Sequence, residues 1–408
     1  MSHPLRQLTV LFNIKGTNMS IAQDPRMEYF LNLKDWKKST KRKYIADVGL
    51  YVECIGKTPS ELISEARKEQ VATDWMDERQ IPRYFKKFIK FLEEKNHTEY
   101  SQKLTVANVK TFYRCFEIET PSISVKGVPE SYYILYEDLP QHEDIRKVIS
   151  LSNAQYRALF SFMASSGMNY SDATSISVRE LILAVNYYFK ITKQEKYKVK
   201  DLAGLYETCE KVKGIVPVWR MWRFKTSNQH ITFSSPESLN FILDYFMEQP
   251  PANEEVPIFR KFKKQKKLTY RAVNVYLQKL NEKLGWRDKK IGRFGFVTSK
   301  SFRTFFANEM EDEEVFEKHI RLMMGHKQAG VTQNYFKTKA PKMLKSYLKG
   351  VHRLTFLEEI TVIDNTDDLL LELEKRDEER DEEMKQLRKD LDRALQMKKM
   401  DQDLNYKH

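Results

Sequence analysis

The chain has 408 residues, 41% of them hydrophobic, and a formal net charge of +13 at pH 7. That length suggests two or three domains with real cores, and the apolar content excludes a disordered chain. No run approaches the roughly eighteen apolar residues of a membrane span, and the first residues lack a basic-then-apolar signal pattern, so a cytoplasmic or nucleoid protein is expected.

The charge is uneven. From Glu358 to the end there are 17 acidic and 10 basic residues, so a strongly basic body carries an acidic tail. Such a body fits nucleic-acid binding, or a generally soluble cationic protein, about equally. Cys54, Cys115 and Cys209 are far apart and odd in number, which reads as buried thiols in a reducing compartment. No close His/Cys cluster offers zinc spacing, and neither a metal nor another cofactor is expected.

Residues 1–25 form an N-terminal arm with weak periodicity and a short extended piece at Leu8–Phe12. Residues 26–120 read as an all-α module of four short helices. The first is capped by Ser39 or Thr40 and runs through Tyr51; the second starts at Thr58-Pro59-Ser60-Glu61. The third spans Ile81–Glu94 and the fourth Thr105–Phe116, each with an apolar stripe at helical spacing. Lys37, Lys38, Lys41, Arg42 and Lys43 cluster at the start of the first helix, where they fit phosphate contacts or an ordinary solvated face.

Residues 121–143, with Pro121, Pro129 and Pro140, read as a linker. Residues 144–357 form the main domain. Helices are expected at Asp144–Leu151 and Asn153–Ser165, with Gly167 as C-cap and a restart at Ser171 or Asp172 running to Ser177. Val218–Phe233 alternates like a β-hairpin with Lys225 at its tip. Pro236 opens a helix through Phe246, Arg260–Lys267 is a very basic loop, and Thr269–Leu284 is an amphipathic helix. Further helices are expected over Thr298–Met310, Glu313–Met324 and Lys342–Gly350. Residues 358–408 are an acidic helical tail. Its heptad frame is broken by Asp377 and Arg380, so a coiled coil and a solvated single helix are both open.

The sharpest chemical signal is Leu322-Met-Met-Gly-His326, with Tyr335 nine residues after the histidine and Arg303 upstream in Lys300-Ser-Phe-Arg303. Tyrosine is a covalent nucleophile only with help, because its hydroxyl ordinarily titrates near 10. Basic groups that neutralise an anionic substrate and move protons supply that help. On a basic chain the natural anion is a nucleic-acid phosphate.

These motifs, in this order, resemble the C-terminal signature of tyrosine recombinases, the phage and archaeal integrases and the Xer proteins; the resemblance covers residues 27–355. Ser165-Ser-Gly-Met and Thr232-Phe-Ser-Ser-Pro-Glu237 look most like archaeal and archaeal-virus members. The resemblance implies a mainly α fold with a small antiparallel β-sheet in the catalytic domain, arranged as a two-domain clamp on double-stranded DNA, with a charged C-terminal helix. It implies that Tyr335 forms a 3′-phosphotyrosyl bond without ATP or metal. Arg303 would clamp the scissile phosphate, which suits a planar guanidinium fork. His326 would donate to the same phosphate, Lys225 would protonate the leaving 5′ oxygen, and Lys300 would carry protons or bind phosphate. The resemblance further implies a homo-tetramer on synapsed sites.

Structural alternatives stand beside each role. Arg303 fits an ordinary helix ion pair, His326 a helix cap, Tyr335 a half-buried aromatic, and Arg223 competes with Lys225. One departure is serious. The family's first phosphate-binding arginine is replaced by Asn169, in Ser166-Gly-Met-Asn169, and the nearest downstream cation is Arg179. Three functions follow: a site-specific integrase, a catalytically impaired relative that only binds DNA, and a type IB topoisomerase-like relaxing enzyme.

Overall fold

The structure is a computed structural model. It describes residues 11–14, 17–125, 135–223, 228–261, 264–291, 294–326 and 339–357, with scattered positions in the tail. The chain divides into two compact units, Met1–Tyr133 and Ile134–His408. The fold is mainly helical, and among the described residues the strands pair as three two-stranded antiparallel sheets.

In the first unit, strands β1 (Leu11–Ile14) and β2 (Thr17–Ser20) form a hairpin within the expected irregular arm. Among the described residues five α-helices follow rather than four: α1 (Pro25–Asn32), α2 (Lys38–Ile55), α3 (Pro59–Ala72), α4 (Ile81–Glu94) and α5 (Glu99–Arg114). The additional helix, α1, is capped by Asp24, whose carboxylate accepts from Arg26 N and Met27 N and also ties down Ser60. Helix α2 starts earlier than Ser39 or Thr40 would set it, at Lys37, without a side-chain cap. Trp36 packs on Phe30 and Tyr44 with ring centroids 4.8 and 4.6 Å away, fixing the chain's entry just before the first turn. Gly56, at φ 79°, closes α2. Thr58 and Glu61 form a capping box for α3. Thr98 caps α5, whose first residue Glu99 lies six residues ahead of the expected Thr105.

In the second unit, α6 (His142–Ser150) precedes α7 (Ala154–Ser166). Every residue of α7 from Ala158 to Ser166 is buried, which makes it the central helix. After α8 (Tyr170–Ala173) come α9 (Val178–Ile191) and α10 (Leu202–Lys211), neither of which was expected from the sequence. Strands β3 (Val218–Arg223) and β4 (Asn228–Phe233) form the expected hairpin, with Val218 opposite Phe233. Then follow α11 (Pro236–Glu248), α12 (Tyr270–Lys283), the short β5 (Lys290–Ile291) and β6 (Phe294–Gly295), α13 (Ser301–Asp312), α14 (Glu317–Met323) and α15 (Ala340–Gly350). Helices α11, α13 and α6 pack on α7. Glu237, fully buried, accepts from Phe356 N at 2.9 Å and from Leu357 N, fixing the chain just before residue 358. The coiled-coil expectation for residues 358–408 lies outside the described residues. Among the described residues, no helix is long and apolar enough to cross a membrane.

Candidate active site

The site is built on the C-terminal end of α7. The last carbonyls of a helix have no partner inside it and must find one elsewhere. Here three successive carbonyls are satisfied by three different segments. Tyr347 Oη donates to Ser165 O at 2.9 Å, Thr232 Oγ1 to Ser166 O at 2.7 Å, and Arg303 Nη1 to Gly167 O at 2.6 Å. Helix α15, strand β4 and helix α13 are thereby pinned to one point. A guanidinium there also complements the negative end of the helix dipole.

Gly167 is what allows the approach. It sits at φ 63°, and a Cβ on it would lie 2.5 Å from the Phe306 ring, one turn after Arg303 on α13. Phe302, stacked on Phe160 of α7 with centroids 4.9 Å apart, fixes the same helix from its other neighbour.

Arg303 reaches in a second direction. Its Nη2 donates to Met324 O at 2.5 Å and lies 3.0 Å from His326 Nε2. A guanidinium has no acceptor, so in this contact His326 Nε2 is the acceptor. The position of His326 follows from the Gly-His pair. Gly325 lies at φ 66°, its N–H bonds Leu322 O at 2.9 Å, and His326 N bonds Arg321 O at 2.9 Å. This is a Schellman ending of α14, with Gly325 in the left-handed position and His326 next. The capping and the functional readings of that pair therefore coincide. The structure brings Arg303 and His326 together across 23 residues of sequence.

Other expected site residues are placed as follows. Lys300 is exposed immediately before α13, one turn ahead of Arg303. Lys225 and Tyr335 lie outside the described residues. Asn169, not Ser171 or Asp172, caps α8: its Oδ1 accepts from Asp172 N at 3.1 Å and its Nδ2 donates to Asp172 Oδ2 at 2.5 Å. An asparagine is a better cap than the later serine because it stands where the chain leaves the Gly167 turn extended. Arg179 pairs with Glu255 at 2.6 Å. In the first unit, Lys37, Lys38, Arg42 and Lys43 are exposed and Lys41 is half-buried on α2 and its cap. Lys43 is engaged by Asp47 at 2.7 Å, a carboxylate only 1% exposed that also takes Asn108 Nδ2 at 2.6 Å, so this lysine has a structural duty.

His230 was not singled out from the sequence. It stands on β4 opposite Met221, and its ring lies 2.9 Å from where a Cβ of Gly325 would be. It also borders a cleft of about 780 Å³ lined by α9 and the β3–β4 hairpin. Strand alternation could not flag it, because its neighbour Gly325 is 95 residues away.

No protein-family model and no curated protein sequence matches this chain. Solved structures similar to it include XerA recombinase, 16% identical over 79% of this chain and 96% of that one, with a TM-score of 0.32. The XerH site-specific recombinase, bound to its palindromic difH substrate in a post-cleavage complex, is 11% identical over 83% and 91%, with a TM-score of 0.46. The integrase of mycobacterium phage Brujita is 11% identical over 86% and 98%, with a TM-score of 0.34.

Proposed function

We propose that this chain is a site-specific DNA recombinase of the tyrosine type, an integrase that moves a mobile element. The observation that carries the reading is the convergence of Arg303 and His326 at the end of α7, one turn from Lys300. Three separate segments place an always-charged donor fork and an imidazole side by side, which is what an anionic phosphate needs. The ordered sequence set of Lys225, Lys300, Arg303, His326 and Tyr335 adds the general acid and the nucleophile.

In this reading a phosphodiester of duplex DNA enters against Arg303 and takes its hydrogen bonds from Arg303 and His326. The Tyr335 oxygen attacks phosphorus, a Tyr–O–P bond forms, and the P–O5′ bond breaks. The tyrosyl proton leaves to solvent as the bond forms, with Lys300 the candidate to relay it or to hold the phosphate, and Lys225 protonates the departing 5′ oxygen. One phosphoester replaces another, so rejoining is the same step in reverse and needs no outside energy source. The exposed cations at the start of α2 hold the DNA backbone, and four copies synapse two sites.

A second reading is favoured by one observation: Asn169, standing where the family has its first arginine, is occupied in capping α8 and bonded to the Asp172 carboxylate. A chain lacking that cation would bind DNA without cutting it. A pool of nicked random-sequence duplexes separates the two readings. The integrase reading expects an adduct that survives denaturation and is abolished in Tyr335→Phe; retarded DNA with no adduct supports the binding protein.

A further inference from the structure

The basic loop Lys261–Lys267 is used neither by the active-site reading nor by the cation cluster on α2. It contains lysines at 261, 263, 264, 266 and 267. Its base is built like a core element. Phe259 and Leu268 are buried and joined by Leu268 N to Phe259 O at 3.1 Å, and Arg260 bridges to Lys267 across an antiparallel pair. Arg260 itself is 1% exposed. Its guanidinium donates to Ile258 O at 3.0 Å and to Gln249 O, and lies 5.1 Å from the Tyr245 ring centroid. That cation is spent on the interior.

The lysines are not. Lys261, Lys264, Lys266 and Lys267 are all exposed, and among the described residues none of them enters an ion pair. Gln265 adopts φ 48°, and Lys261 N bonds Lys266 O at 2.7 Å, which holds Lys266 and Lys267 next to Lys261. Holding like charges together this way is unfavourable unless an anion joins them.

The loop also has an address. Tyr170 Oη donates to Leu268 O at 2.5 Å, and Lys267 Nζ donates to Ser175 Oγ at 3.2 Å. Both bonds fall on the segment that begins at Gly167 and Asn169, beside Arg303. Ser175 lies just past the end of α8, six residues beyond Asn169 in the sequence.

We propose that Lys264, Lys266 and Lys267 form a second duplex-DNA contact, gripping backbone phosphates of the same duplex that Arg303 engages. The proposal rests on the recombinase reading for its duplex partner, though not for its charge. Because these phosphates do not react, the loop binds ground state and transition state alike and supports affinity rather than the chemical step.

The test uses the full chain and a variant with Lys264→Gln, Lys266→Gln and Lys267→Gln together. Binding to two unrelated duplexes is measured by fluorescence anisotropy across a salt series. Each lost phosphate contact lowers the slope of log K against log salt by about 0.9. The triple variant therefore binds both duplexes more weakly by the same factor, and its loss of affinity between about 50 and 200 mM salt is about 40-fold smaller than that of the parent. Replacing the same three lysines by Arg keeps the slope. Single-turnover adduct formation at saturating DNA is unchanged. An unaltered slope and affinity would overturn the proposal, as would an Arg triple variant that loses as much as the Gln one. A Gln variant impaired only on anionic vesicles would overturn it too, assigning the loop to a lipid surface. A parent chain that shows the loop-dependent slope but forms no adduct retires the recombinase reading and keeps the loop as a DNA contact.

Discussion

Replacing Gly167 by Ala tests the hub on which the site is built. Two costs add. A non-glycine residue in the left-handed region costs about 1–2 kcal/mol. The new Cβ would also stand 2.5 Å from a Phe306 ring that is fully buried and has no solvent to retreat into. Overpacking of that kind costs about 1–3 kcal/mol more. Gly285→Ala supplies the control in the same unit, because Gly285 has φ 73° with nothing within 4 Å of its Cβ position. It bears only the first cost. Urea unfolding of the second unit is expected to show Gly167→Ala less stable by about 2–5 kcal/mol and Gly285→Ala by about 1–2 kcal/mol. The transition of the first unit, which neither change touches, serves as internal reference. Relief of the clash pushes α13 away from α7, and Arg303 moves with it off Gly167 O. Adduct formation therefore falls in Gly167→Ala and not in Gly285→Ala. Equal destabilisation of the two variants, within about 0.5 kcal/mol, would refute the close approach of α13.

Three further outcomes follow from the same geometry. Gly325→Ala collides with the His230 ring at 2.9 Å and displaces His326, so adduct formation drops while DNA affinity holds; adding His230→Ala restores part of the activity, read as a non-additive double-mutant cycle. Arg303→Lys removes the planar fork and its paired bonds to Gly167 O and Met324 O, and adduct formation should fall by about 10²–10³ with far less change in DNA affinity. His142 and His319 both have pKa values lowered, chiefly by burial, so folding favours their neutral forms. Their contribution is fully present above the ordinary histidine value near 6.5 and is lost as pH falls through the lowered folded values. The urea midpoint of the second unit accordingly drops on going from about pH 7.5 to 5.5, and His142→Gln with His319→Gln flattens that dependence.

Local signals in the sequence carried the helix ends well. Thr58 with Glu61, Asn153, Gly167, Thr269 and Gly325 each have a side-chain or backbone reason to end or start a helix, and the structure uses all five so. Helix α9 was equally legible in principle, since Ser177 and Glu180 form a capping box and the buried Val178, Leu181, Ile182, Val185, Tyr188 and Phe189 stand at helical spacing. The early start of α2 was not legible, because Lys37 makes no side-chain cap and the packing of Trp36 decides it. The site divides the same way. The residue types and their order are written locally, in Lys300-x-x-Arg303 and Gly325-His326. The bonds that aim them are not, because Arg303 to Gly167 O spans 136 residues and Thr232 to Ser166 O spans 66. Asn169 shows both faces of this. Its neutrality was plain in the sequence, whereas its use as the cap of α8 needed the fold.

The most direct test of the central claim is the chemical identity of the residue that becomes joined to DNA. Protein incubated with the nicked duplex pool is denatured, digested with nuclease and protease, and analysed by mass spectrometry. The account predicts that the peptide bearing Tyr335 carries a nucleotide through a 3′-phosphate, and that Tyr335→Phe removes it. A nucleotide on another residue, or no linkage from a chain saturated with DNA, would contradict it.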